Sequence, residues 1–206
     1  MVLQLRPISV PERPAKRPWA YFMTFSCYGT RLHGRQAGSV DRHHNAWKGR
    51  YLEPSRGLKD HERRALRNPR ARLDRQQRHA VLQAIREVCR HEGWTLHAAH
   101  VRTNHVHVVV SAESRPETAL AKLKAYASRS LNHLTGAKLE RWTRHGSTRW
   151  LWEPKQVDQA AHYVVKQQRH PMETYENPTR WADYLHTPTT EPRPSGCGRA
   201  GSRLRL

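Results

Sequence analysis

Apolar positions change their period several times along this chain, and each change predicts an element. Trp19-Ala20-Tyr21-Phe22-Met23-Thr24-Phe25-Ser26-Cys27-Tyr28 is rich in aromatics and reads as a first strand. Val81, Ala84, Ile85 and Val88 then recur at helical spacing, with a capping-box pair, Asp74 and Gln77, ahead of them and Gly93 as a stop. Trp94, Leu96 and Ala98 alternate with other residues and predict a strand running to Val101. A tight connection at Arg102-Thr103-Asn104 leads into a further strand, His105-Val106-His107-Val108-Val109-Val110. Pro116 opens a helix whose apolar stripe is Leu120, Leu123, Ala127, Leu131 and Leu134. A short strand follows at 149–152, and a last helix at 157–168. The order β-α-β-β-α-β and then a helix predicts an α+β fold. Its form is a ferredoxin-like split βαβ, with an antiparallel sheet and helices on one face.

The remaining stretches carry little pattern. Residues 1–17 are a basic, Pro-rich arm expected to be flexible, and 186–206 a basic, Pro- and Gly-rich tail expected to be disordered. One domain is expected between them, at 18–185. Within it, residues 31–72 are polar and weakly patterned, which suits a functional or poorly ordered loop.

Charge narrows the class of partner. Against 17 Asp and Glu stand 37 Lys and Arg, a net charge of +20 over 206 residues. Such an excess points to a polyanion, and nucleic acid fits best. No run of about 18 apolar residues could span a bilayer, so no membrane partner is expected. Residues 1–17 lack the apolar core of a secretory signal. Cys27, Cys89 and Cys197 are widely spaced with no CxxC, which fits a reducing cytoplasm. Motifs of NTPases, dinucleotide enzymes, zincins and serine hydrolases are missing from the sequence.

The candidate chemistry lies in the valine-rich strand. Side chains on a strand alternate, so His105 and His107 share one face while Val106, Val108 and Val110 point into a core. Two neutral imidazoles on a rigid strand form half of a metal site. The alternative is a solvated pair on an open sheet face, since the chain holds 15 histidines. Tyr126 lies among Lys122, Lys124 and Arg129 at the flank of its helix's apolar stripe. Cations there would favour a phenolate nucleophile; the alternative is a boundary tyrosine shielding the interface. Two segments mix cations with aromatic rings. One holds Arg31, Arg42 and Trp47. The other, Arg141 to Trp150, includes Trp142, Arg144 and Arg149 and is the better candidate for contact with nucleic acid.

Asn104-His105-Val106-His107 with its valines, followed on a helix by Leu123-Lys124-Ala125-Tyr126-Ala127-Ser128-Arg129, resembles the single-tyrosine HUH transposases, in particular their REP-associated branch. Thr24 to Gly34 and Trp142 to Ser147 resemble segments of the same superfamily. The resemblance implies a ferredoxin-like fold that nicks and rejoins single-stranded DNA, often a hairpin, through a 5′-phosphotyrosine. It implies Mg²⁺ or Mn²⁺ held by His105, His107 and a third ligand, with Tyr126 as nucleophile. Lys122, Arg129, Arg144, Arg149, Trp142, Arg31 and Arg42 are then expected to bind the nucleic acid. Relatives often place Gln, Asn or His four residues after the tyrosine as third ligand. That position is Ser130 here, and His133 is the candidate substitute, ahead of Asn132. A homodimer is implied as well, in which the tyrosine helix can exchange between protomers. The alternative function is a non-catalytic or domesticated DNA- or RNA-binding module on the same fold.

Overall fold

The structure is a computed structural model that describes residues 17–36, 38, 52–168 and 170–178. Arg42 and Trp47, the tail at 186–206 and nearly all of the N-terminal arm lie outside the described residues. The elements are β1 (Ala20–Ser26), α1 (Arg56–Arg64), α2 (Arg75–His91), β2 (Thr95–Val101), β3 (His105–Ser111), α3 (Pro116–Thr135), β4 (Ser147–Leu151), α4 (Pro154–Lys166) and β5 (Glu173–Glu176). The strands form one sheet in the order β4-β1-β3-β2-β5, and each neighbouring pair is antiparallel. This is the expected α+β architecture.

Local signals set the helix ends. Asp74 accepts from Gln77 N at 2.8 Å and Gln77 Oε1 accepts from Asp74 N at 3.2 Å, closing the capping box of α2. Pro116 and Pro154 stand at the first turns of α3 and α4, where a missing N–H costs nothing. Gly136 ends α3 at φ 67°, a conformation that favours glycine.

The sheet has two covered faces, and they are unequal. Met23 and Phe25 of β1 and Val106, Val108 and Val110 of β3 join Val81, Ile85 and Val88 of α2 and Leu123, Ala127 and Leu131 of α3 in the main core. The opposite face packs Ala20, Ala98, Val109 and Leu151 against Val157 and Val164 of α4. So α2 and α3 share one face as expected, while α4 lies on the other. The reason is the run Val108-Val109-Val110: it is apolar on both sides, so each face needs a cover. Two elements arise where none was expected. Helix α1 falls within the weakly patterned stretch, and β5 adds to the free edge of β2.

Candidate active site

His105 and His107 occupy the α4 face of β3. Their rings lie 4.7 Å apart, centroid to centroid. Each is anchored through Nδ1. That of His105 is 2.7 Å from Asn104 Oδ1, and that of His107 is 2.8 Å from Thr24 Oγ1. Thr24 sits directly opposite His107 in the β1–β3 register. With Nδ1 engaged, Nε2 of each ring is left to act as a donor atom. Burial, reinforced by the charges of Arg102, Arg31 and His100, lowers His105 to about 4. Burial, then His105, His100, Arg102 and Arg31, lower His107 to about 3. Both rings are therefore neutral near neutral pH, the form a metal requires.

His100 faces His107 across the β2–β3 pairing and is fully buried. Its Nδ1–H donates to Val164 O at 3.0 Å and its Nε2 accepts from Met172 N–H at 3.2 Å. Both ring nitrogens are spent on backbone, so His100 ties α4 to the sheet and has no lone pair for a metal. Burial holds its pKa below the ordinary histidine value.

The tie brings a different tyrosine to the histidines. Tyr163, next to Val164 on α4, has its ring 6.3 Å from that of His107 and 6.0 Å from that of Phe22. Tyr163 is partly open to solvent, at 41% exposure. Gln167 follows one helical turn later and caps α4; its Nε2 is 3.4 Å from His162 Nδ1.

Tyr126 is elsewhere. It packs against the main core on the valine side of the sheet, with its ring 6.0 Å from that of His91 and the Arg129 guanidinium 4.7 Å above it. The sheet separates it from His105 and His107, so the expected convergence of Tyr126 with the histidines is not met within this chain. The same separation removes the expected third ligands. Ser130 Oγ donates to Ala80 O of α2 at 3.3 Å, and His133 and Asn132 line a groove on the outer side of α3. The physical cause is the stripe Leu123, Ala127 and Leu131, which commits all of α3 to the valine face.

The expected nucleic-acid residues divide. Arg31 acts on the histidines through its charge, as does Arg102, which was not among the expected residues, and Arg149 is exposed on β4, opposite Phe22 and on the same face. Arg144 is exposed on the loop before β4. Lys122 is instead paired with Glu92 at 2.6 Å. Trp142 is buried, with its ring edge-on to Phe25 at 5.0 Å and its backbone bridged to Cys27. It is a core residue, not a contact for nucleic acid.

Sequence reasoning passed over Tyr163, Gln167, His100 and Arg102. A signal for the first two was present: a tyrosine followed four residues later by glutamine, on a helix. No group of three or more His, Cys, Asp or Glu that could hold a metal occurs among the described residues. The donor set of this face is two neutral imidazoles, with an amide one turn beyond Tyr163. No helix among the described residues is long and apolar enough to cross a membrane.

Comparison with known proteins points to one family and to a solved structure of similar fold. The model of the family described as "Transposase IS200 like" matches residues 64–167, half of the chain. That span holds the histidine pair, Tyr163 and Gln167. Among solved structures, a REP-associated tyrosine transposase bound to a REP hairpin is similar at 15% identity, over 78% of this chain and 72% of that one, with a TM-score of 0.44. No curated protein matches.

Proposed function

The chain belongs to the IS200-like transposase family, and from that premise we propose that it cuts and rejoins single-stranded DNA at the His105–His107 face, with Tyr163 as nucleophile. The observation that carries this reading is the meeting of Tyr163 with His107 on one face of the sheet, 6.3 Å between rings.

The chain's own residues would divide the work as follows. Arg31, Arg102 and Arg149 bind phosphates around the histidine pair and offset their charge. Tyr163 Oη attacks the scissile phosphorus, forming a P–O bond to the tyrosine as the P–O3′ bond of the DNA breaks. The phenol's proton leaves to solvent and the departing 3′-oxygen gains one. The product is a 5′-phosphotyrosine and a free 3′-OH. Attack by a 3′-OH on that phosphotyrosine reverses the step. Since one phosphodiester is exchanged for another, no nucleotide cofactor is needed, and positioning with charge neutralisation carries most of the catalysis.

Mg²⁺ or Mn²⁺ fits the donor chemistry. His105 and His107 are neutral with Nε2 to offer, and Gln167 supplies the amide that relatives carry four residues after the tyrosine. These three would hold the ion, which when bound supplies positive charge to polarise the scissile phosphate. Thr24 and Asn104 fix the ring orientations through Nδ1, the usual way ligand histidines are held.

The test is incubation of the full chain with a labelled hairpin single strand and Mn²⁺. A covalent protein–DNA adduct is expected, lost in Tyr163→Phe and kept in Tyr126→Phe. An adduct that survives Tyr163→Phe and vanishes in Tyr126→Phe overturns the assignment.

A further inference from the structure

A groove of about 700 Å³ runs between α3 and the loop that leads into β4. That volume lies within the range of ligand clefts, roughly 300–1,000 Å³. Leu120 lines it, Lys124 and Arg144 give it positive charge, His145 adds an imidazole, Glu117 is its one carboxylate, and Trp150 lines it as well. The groove lies on the valine side of the sheet, away from the histidine pair.

Several features show it to be preformed. Lys124 Nζ donates to three successive loop carbonyls, Thr143 O at 2.8 Å, Arg144 O at 3.3 Å and His145 O at 3.1 Å. The loop is thereby held against α3, while the Arg144 side chain stays exposed. Gly146 lets the loop approach closely: a Cβ there would meet Thr24 O at 2.8 Å and Leu120 Cδ2 at 2.9 Å. Beyond the rim, Trp152 stacks on Trp150 with centroids 5.6 Å apart and planes 23° apart. Both indoles are exposed, 43% and 50%. Tyr21 braces Trp150 edge-on at 5.5 Å. Two stacked, braced and solvent-facing indoles beside exposed cations are a platform for unpaired bases, whose faces stack on aromatic rings while basic groups track the backbone.

Strand β4 links the groove to the histidine face. It is an edge strand, and among the described residues no other strand covers its outer side. Thr148 lines the groove, and its neighbour Arg149, on the other side of the pleat, stands opposite Phe22 on the histidine face. A flexible strand can pass over this edge from one face to the other; a rigid duplex cannot make so tight a turn.

We propose that this groove and the Trp150–Trp152 platform hold the unpaired stretch of the same DNA strand whose phosphate lies at the histidine pair. The inference rests on the reading of the protein as a single-strand DNA transesterase, and its test separates the two. Binding of the full chain is measured by fluorescence anisotropy at fixed salt, with a hairpin carrying an unpaired flank and with the same hairpin blunt. The Trp150→Ala/Trp152→Ala variant should lose at least about fivefold in affinity for the flanked hairpin, the effect of one lost base stack. It should bind the blunt hairpin as the parent does. Arg144→Ala should lower the salt slope on the flanked hairpin by about one. Both changes are at exposed positions, and an unchanged thermal midpoint verifies folding. Equal losses on both hairpins, or none on either, overturn the proposal. If the Tyr163 adduct forms but the tryptophan variant binds normally, only the groove assignment fails. If flank-dependent binding needs the tryptophans but no adduct forms, the groove stands and the strand-transfer reading fails.

Discussion

Acidification should destabilise the metal-free protein before any carboxylate is titrated. His105 and His107 are neutral in the fold, lowered to about 4 and about 3, whereas an unfolded histidine titrates near 6.5. Below about 6.5 the unfolded chain therefore binds protons that the folded chain refuses, and stability falls with pH. It is fully present above about 6.5 and is lost as the pH drops toward the folded values. Within that window each histidine contributes a slope of about 1.4 kcal/mol per pH unit. At about pH 5 the loss is about 2 kcal/mol per histidine, or about 4 kcal/mol for the pair at most. His100, also lowered by burial, steepens the same slope. Glu92 is lowered from 4.5 by its bond to Lys122, so its contribution is lost only below 4.5, at the acid end of this window. The assay is urea denaturation at constant ionic strength with a chelator present, between about pH 7.5 and about pH 4.5. His107→Gln should remove about one proton from the slope. A stability that is flat or rises on acidification from about pH 7 to about pH 5 would refute the account of these rings as buried and neutral.

Three further outcomes follow from named contacts. Trp142→Ala should cost about 3–5 kcal/mol in urea unfolding, as a large core truncation does, and leave the salt slope of DNA binding unchanged. His100→Ala orphans Val164 O and Met172 N–H; it should cost about 1–3 kcal/mol in urea unfolding and, by loosening α4, slow adduct formation under conditions where the variant is still folded. In the parent, Mn²⁺ should raise the thermal midpoint, and Gln167→Ala should raise the Mn²⁺ concentration needed by about tenfold or more.

Much of the fold was legible because its core strands and helices bury regular patterns. The period of α2 and the alternation of β2 and β3 each match a face that is now buried. Helix α1 was not legible because none of its residues is buried; Leu58 is its one large apolar side chain, too few for a stripe, and only the Ser55 cap, accepting from Leu58 N at 3.2 Å, marks its start. Strand β5 has four residues, all half-buried, and exists through its pairing with β2, a partner about 75 residues away that no local pattern can encode. Trp142 was misread for a related reason. Its cationic neighbours suggested exposure, but its own ring is held by Phe25, more than a hundred residues distant in sequence.

The site divides along the same physical line. The histidine pair and its valine backing follow from strand alternation, and the structure keeps them as a local property of β3. The tyrosine is not local, since it depends on which helix covers which face. The apolar stripe of α3 and the inward valines of β3 seek the same core, so every residue of α3 is drawn to the valine side. A tyrosine able to reach His107 must come from a helix whose stripe seeks the other face. Val157 and Val164 of α4 pack on Val109 and Ala98, two residues whose apolar character at outward positions is what the histidine face offers a helix. Val109 thus decides the chemistry at one remove: with His107 two residues before it on the same side, it draws α4 down beside the imidazoles and carries Tyr163 with it. A polar residue at 109, Val109→Asn, should therefore loosen α4, separating the Tyr163 and His107 rings while leaving α3 and Tyr126 in place. Backbone amide exchange that quickened in α3 as much as in α4 would show instead that the two faces of the sheet are not independent.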